Sequence, residues 1–413
     1  MIKTFDNSPL FSIFFISLIA RILAAFFFSD NTLVNEWSLL VNNLEVSGIL
    51  GMNVVINEFE VVQKIAEEGN KVLPSIFMPP LYAFFIYVIK IFSFGILDFI
   101  NVVIFLQIVI NLLSIFLFYK IIEKFFNKKI VYLVTLTFSL FPLHIFATVQ
   151  ISSISLQLFL LIGFLYFILQ CSLQSNYKNL FLFSLFSGLL ILIRGEFFLF
   201  YFITLFYFFY LEKKSFKKIA VSLVITLLVV SPYLKRNYNY FNTVVLTKSF
   251  GYNLLKGNNP EFKVEGNPNF VEKYNLKSFK INADNNYEIK VDNFYKEEAL
   301  NYIKKDPLRY IKYYFLKVFS FIIIDISSTY PNYFNFLHIF PKVLIGILSF
   351  IGACLSLKKD KFIRYLGIYY FTTIFLFSIF FILPRYSLIL LPFQLILTME
   401  FIRYFLPQKL FKK

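Results

Sequence analysis

Residues 98–120 read DFINVVIFLQIVINLLSIFLFYK. Between Asp98 and Lys120 there is no charged side chain, and polar and apolar positions do not alternate. In lipid such a run must satisfy its own backbone groups, which a helix does within one segment. A barrel strand would alternate every second residue. The same reading extends to the whole chain. Of its 413 residues 58% are hydrophobic and 15% charged, where a soluble domain carries about a quarter charged. That balance excludes a soluble enzyme, a disordered chain and a disulfide scaffold. It predicts an all-α polytopic membrane protein.

Nine further spans follow outward from this one: Pro9–Phe28, Ile130–Ala147, Ser155–Cys171, Leu180–Ile193, Phe197–Tyr210, Ile219–Pro232, Val343–Leu357, Phe362–Leu383 and Leu388–Tyr404. The first reads as an uncleaved signal anchor, because Arg21 interrupts it and no small-residue cleavage site follows. Two half-polar stretches separate the spans, from Ser29 to about Gly95 and from Tyr233 to Pro331. In the first, Glu36–Gly48 and Glu58–Asn70 have helical periodicity, and Leu81–Phe94 is a short apolar helix lying on the membrane surface. In the second, Glu297–Ile324 begins amphipathic and ends apolar, and is expected to return to the same surface. Cys171 and Cys354 lie in apolar runs and form neither a metal site nor an evident disulfide.

The formal net charge of +16 would suggest nucleic acid in a soluble protein. In a membrane protein it is first a matter of sidedness. With the N-terminus inside, the cytoplasmic connections carry Lys124, Lys128 and Lys129; Lys213, Lys214, Lys217 and Lys218; Lys358, Lys359, Lys361 and Arg364; and Lys409, Lys412 and Lys413. The two long stretches then fall outside together, which also keeps Leu81–Phe94 on the surface.

Charges in or near the membrane are costly and mark candidate sites. Arg21, Arg194, the Lys235-Arg236 pair and Arg385 with Tyr386 all fall towards the outer face, against the positive-inside trend. Together they make a candidate phosphate or pyrophosphate site. Each has a plain structural alternative: Arg21 snorkelling to headgroups, Arg194 pairing with Glu196, Arg385 anchoring at the interface. Asp30 and Glu36, just past the first span and beside Trp37, add carboxylates, and a carboxylate beside a phosphate clamp can act as a general base. Glu58, Glu60, Glu67 and Glu68 read as a solvated face.

The residues resemble the GT-C integral-membrane glycosyltransferases, in particular family 39, relatives of protein mannosyltransferases and the lipid A aminoarabinose transferase. The most specific piece is Pro232-Tyr-Leu-Lys-Arg-Asn-Tyr, followed by Gly251-Tyr-Asn-Leu and Gly257-Asn-Asn-Pro260. Others are Pro79-Pro80-Leu-Tyr82, Gln107, Arg194-Gly-Glu196, Asp306-Pro307 with Lys317, and Arg385-Tyr386 with Pro392.

The resemblance implies a GT-C fold, and an inverting transfer from a polyprenyl-phosphate sugar donor to an acceptor hydroxyl at the extracytoplasmic face of the cell inner membrane. It places the catalytic acid at Glu36, with Asp30 in reserve, since Asn35 stands where relatives carry an aspartate. The donor phosphate falls to Arg21, Arg194, Lys235, Arg236, Arg385 and Tyr386, and substrate contacts to Trp37, Pro80, Tyr82, Glu196, Asn258 and Asn259. No cofactor is expected. The Ser152–Ser155 stretch lacks an acidic residue found in relatives, which argues against a bridging metal and leaves a divalent cation open. The partners implied are the donor, the bilayer and an acceptor glycolipid, protein or wall polymer, with no nucleic acid. The expected organisation is a transmembrane catalytic module at 1–233 containing the first loop at 29–97, an outer segment at 234–339, and final helices at 340–413. A lipid-linked oligosaccharide polymerase or ligase is the nearest rival. A transporter or flippase is disfavoured, because no internal repeat is visible.

Overall fold

The computed structural model describes residues 8–33, 35–59, 61–65, 69–93, 98–174, 176–273 and 281–405. Glu60, Glu67, Glu68, Lys409, Lys412 and Lys413 lie outside these ranges. The chain folds into α1 (Ser8–Phe28), α2 (Asn35–Ser47), β1 (Gly51–Ile56), β2 (Val62–Ile65), β3 (Lys71–Pro74), α3 (Pro80–Phe92), α4 (Phe99–Ile122), α5 (Lys128–Ser139), α6 (Pro142–Thr148), α7 (Ile154–Leu173), α8 (Tyr177–Ile193) and α9 (Phe197–Phe206). A π turn at Tyr207–Leu211 leads to α10 (Phe216–Phe241). There follow α11 (Phe250–Gly257), α12 (Pro268–Lys273), α13 (Tyr287–Lys305), α14 (Pro307–Ile322), α15 (Phe336–Ser356), α16 (Lys361–Phe377) and α17 (Ser387–Phe405).

The chain is a largely helical membrane protein. Among the described residues six helices, α1, α4, α7, α10, α15 and the one ending at Phe405, are long and apolar enough to cross a bilayer. The bent pair α5–α6, at 53°, makes up to seven. The remaining three expected spans are α8, α9 with its π turn, and α16, all shorter. α7 and α17 are the most enclosed, whereas α1 presents Phe11, Phe15, Phe26 and Phe27 outward. Between helices in lipid the association is a matter of close packing rather than of apolar burial from water. At the α15–α17 contact a Cβ on Gly352 would lie 2.0 Å from the Leu397 carbonyl oxygen, so only glycine allows that approach.

The Glu58–Asn70 expectation is corrected, because β2 lies within it. A three-stranded antiparallel sheet in the order β2-β1-β3 forms there, with Val54 opposite Ile65 and Gly51 opposite Pro74. The β-branched Val54 and Val62, with Leu73, pack against Ala283 and Tyr287 from the second half-polar stretch. That tertiary face outweighs the helical spacing of the flanking acids. α3 starts at Pro79-Pro80 and leans on α2, where Lys90 pairs with Glu45 and reaches Asn42 at 3.3 Å. α14 is amphipathic, with Leu308, Ile311 and Phe315 exposed and Tyr310, Lys317 and Phe321 buried.

The span read as ending at Pro232 is also longer than expected. α10 continues nine residues beyond that proline, so Lys235, Arg236 and Asn237 are helical. The proline leaves the Leu228 carbonyl without its i+4 donor, and the Ser231 hydroxyl donates to it at 3.3 Å. This is how membrane helices tolerate proline.

Candidate active site

Three segments meet where the first loop faces the second half-polar stretch. The turn before α3 is held from two sides. Ser75 Oγ and the Ile76 N–H donate to the Glu288 carboxylate of α13 at 2.7 and 2.6 Å. From α10, Arg236 donates to the Ser75 carbonyl at 2.9 Å and the Leu50 carbonyl at 2.7 Å. Glu288 is 6% exposed. Burial pushes its carboxyl up to about 7, against the opposing pull of the Ser75 and Ile76 hydrogen bonds and the charge of Arg236.

Behind this turn lies a cavity of about 250 Å³. α2 contributes Glu36 and Leu40, the turn Phe77, α11 Tyr252, and α13 Glu288 and Asp292. α11 is set in place by Asp292, whose Oδ1 accepts from the Gly251 and Tyr252 N–H groups at 2.7 and 3.1 Å. A Cβ at Gly251 would fall 1.8 Å from the Asp292 carbonyl oxygen, which is why this motif position has to be glycine. Burial raises the Asp292 carboxyl, and those two N–H groups oppose the shift.

Glu36 is exposed and lies between this cavity and a cationic group. Lys256, half-buried at the end of α11 with its ammonium 4.5 Å from the centre of the Phe381 ring, is held below its ordinary value by burial and by the charge of Arg385. The charges of Glu36 and Glu272 pull it the other way. The charge of Glu36 also reaches Tyr252, whose phenol is raised first by burial and then by Glu272 and Glu36. One carboxylate therefore acts electrostatically on both Tyr252 in the cavity wall and Lys256 beside it.

Arg385 is exposed on a short 3₁₀ turn, Pro384–Tyr386. Next to it the Arg194 guanidinium pairs with Glu196 and lies 5.0 Å from the Tyr386 ring centre and 5.3 Å from that of Phe377. The Gly257-Asn258-Asn259 motif tethers the segment that carries Arg385. Asn258 donates to the Ile379 carbonyl at 2.9 Å, the Ile382 N–H to the Val264 carbonyl at 2.9 Å, and a Cβ at Gly257 would lie 1.8 Å from the Phe380 oxygen. Lys317, fully buried in α14, donates to Asn258 Oδ1 at 3.0 Å and the Phe380 carbonyl at 2.8 Å. Its partners are neutral, and burial brings it down to about 7.

The structure thus gathers Glu36, Arg194, Glu196, Arg385 and Tyr386 towards one region. It gives several other expected site residues different surroundings. Arg21 is enclosed in the bundle, where it donates to Asn111 Oδ1 at 2.8 Å, the Ser17 carbonyl at 3.0 Å and the Ser139 carbonyl at 3.0 Å. It neither snorkels nor opens towards the cation group. The α5–α6 break frees the carbonyls at the end of α5, and Arg21 takes that of Ser139 while His144 Nδ1 takes that of Phe138 at 2.9 Å. Arg236 is occupied by backbone carbonyls, and Lys235 is exposed. The amides of Asn258 and Asn259 donate to backbone carbonyls. Asp30 accepts from the Ile151 N–H at 2.7 Å and ties the end of α1 to the α6–α7 loop. The buried Tyr82 donates to Gln107 Oε1 at 2.9 Å and meets Trp37 edge to face at 4.9 Å, and Pro80 is the first residue of α3. Asn35 opens α2, and its side chain lies outside the described residues. Lys256, Glu288 and Asp292 were not singled out from the sequence. The first was legible inside the glycine motif; the other two precede the amphipathic stretch expected from Glu297, because α13 starts ten residues earlier, at Tyr287.

Residues 78–235 match the model of the dolichyl-phosphate-mannose-protein mannosyltransferase family. The structure superposes on the Archaeoglobus fulgidus oligosaccharyltransferase, tethered with an acceptor peptide containing the NVT sequon, over 97% of this chain at 12% identity and a TM-score of 0.55. The chain has the GT-C fold. This GT-C chain spans 50% of the length of that oligosaccharyltransferase. It also aligns with ArnT from Cupriavidus metallidurans bound to undecaprenyl phosphate, at 13% identity over 98% of this chain and 61% of that one, with a TM-score of 0.46. No curated protein matches the chain.

Proposed function

We propose that the chain transfers a sugar from a polyprenyl-phosphate donor to an acceptor hydroxyl at the extracytoplasmic membrane face, with inversion at the anomeric carbon. The observation that carries this reading is Glu36, a carboxylate at the mouth of a cavity and within the field of Lys256, which in turn feels Arg385. The family match, which begins at the α3 turn and ends in α10, supports a lipid-phosphate sugar donor. Glu36 removes the acceptor hydroxyl proton, and the oxygen forms a bond to sugar C1. The bond from C1 to the phosphate oxygen breaks, and its electron pair leaves with the phosphate. Arg385 and Lys256 stabilise that charge, and a fixed electrostatic site of this kind is often the largest catalytic contribution. The leaving phosphate needs no strong acid. Asp30, whose carboxylate accepts from the α6–α7 loop, is the reserve base in this scheme.

The test compares envelope glycolipids and glycoproteins by mass spectrometry with and without the gene, then with Glu36→Gln restored. We expect a glycosylated product to vanish on deletion. With Glu36→Gln its formation should fall by about a hundredfold, the scale of a general base, at unchanged protein level. Asp30→Asn should be milder. Normal product with Glu36→Gln would remove the first-loop acid from the mechanism.

A further inference from the structure

The cavity beside Glu36 has a chemistry that narrows the acceptor. Its walls are chiefly apolar and aromatic: Phe77 meets Tyr252 edge to face at 5.4 Å, and Tyr287 and Tyr295 enter from α13. Among the described residues its charged groups are the carboxyls of Glu36, Glu288 and Asp292 and the ammonium of Lys248. Asp292 is 4% exposed, and both hydrogen bonds it accepts among the described residues end on Oδ1. Its Oδ2 therefore keeps lone pairs for a guest.

We propose that this cavity seats the acceptor as a sugar ring bearing hydroxyls but neither phosphate nor carboxylate. The inference rests on the reading of Glu36 as the base. Aromatic faces suit the C–H faces of a pyranose, and carboxylate oxygens accept from its hydroxyls. A phosphorylated ring would meet the negative charge of Glu36, and it would push Glu288 and Asp292, whose ionised forms burial already disfavours, further towards protonation, which selects against it. An extended peptide would bring backbone N–H and C=O groups that need partners, and apolar walls offer few. A single ring directs one hydroxyl at Glu36 and has the side chains of Glu288, Asp292, Lys248 and Ser75 within the cavity wall for its others. The acceptor is thus a glycan, and the product a lengthened or branched sugar.

The experiment is saturation-transfer difference NMR on the full chain purified in detergent. The probes are methyl glycosides of glucose, galactose and mannose, a hexose 6-phosphate, and a hexapeptide containing serine and threonine. We expect signal from at least one methyl glycoside and none from the hexose phosphate or the peptide. In Val291→Phe, which places a ring inside the cavity, that binding should weaken by about tenfold or more. Thermal unfolding without ligand checks that the variant folds; if it does not, Leu39→Phe from the opposite wall decides. Glycoside binding unchanged by a folded cavity variant, absent in the native chain, or matched by the hexose phosphate or the peptide would overturn the proposal. A separate measurement, thermal stabilisation of the native chain by polyprenyl phosphate, tests the donor reading. Its failure would sink that reading while glycoside binding stood.

Discussion

Arg385 is an exposed cation on a short turn, and its charge is felt at Lys256. If it holds the donor phosphate, Arg385→Lys should lose transfer activity by about tenfold or more, since a point ammonium does not reproduce a two-pronged guanidinium contact. A mere interface anchor would accept lysine, so full activity at normal expression would assign that role instead. Lys256→Met should cost activity in the same assay, because it removes the second cation. At this scale the sequence showed which charges were unusual but not what each one meets. Arg21 was visible as a cation inside an apolar run. Its long-range partners were not visible, because one is the Asn111 amide of α4 and the other the Ser139 carbonyl, released at a break between Leu140 and Phe141 where Pro142 starts a new helix. Arg236 was visible in the motif, yet its acceptors, Leu50 and Ser75, lie far back in the chain.

Among elements, α13 joins the two half-polar stretches, and Glu288 is the junction. Its carboxyl sits at about 7 when folded, against an ordinary 4.5, and burial is the main cause. The folded state therefore holds this proton more tightly than the unfolded state. Between those two values a rising pH removes stability, and above the upper value the loss is complete. The whole effect is on the order of 3 kcal/mol, from the size of the shift. Thermal unfolding in detergent across pH 5 to 8 should show a fall in midpoint that Glu288→Gln largely abolishes. The variant should start lower at pH 5, because glutamine replaces one of the two oxygens that accept from Ser75 and Ile76 with an NH2 group, which only donates. A native midpoint that stays level or rises across this window would refute the assignment. Most helix positions were legible here, since apolar length in lipid leaves few alternatives. The sheet was not, because Val54, Val62 and Leu73 owe their common face to Tyr287 and Ala283. Nor was the length of α10, since Ser231 supplies what Pro232 removes.

At the scale of the molecule, contacts sort the connections into two groups. In one, Asp30 binds the α6–α7 loop, Arg236 binds the first loop, Asn258 binds Ile379, and Arg194 stacks with Tyr386. In the other, Phe125 stacks on Phe362 at 5.6 Å and Ser172 meets Tyr207 at 3.2 Å. The second group contains the basic connections: Lys124, Lys128 and Lys129, then Lys213, Lys214, Lys217 and Lys218, then Lys358, Lys359 and Lys361. The first contains every residue offered here for transfer. A basic end is retained in the cytoplasm, because Lys and Arg near span ends resist translocation. Reporter fusions after Lys129, Lys218 and Lys361 should therefore signal cytoplasm, and fusions at Asn53 and Asp284 the outside. The grouping makes the result all-or-none. Leu50 and Ser75, on either side of β1 and β3, are bonded to Arg236, and Ser75 to Glu288, so Asn53 and Asp284 must report the same side as each other. If both report cytoplasm, the molecule is inverted, and a donor carried on the outer leaflet would not reach Arg385. If they disagree, α10 or α13 does not lie as described, and the cavity between α2 and α13 cannot form.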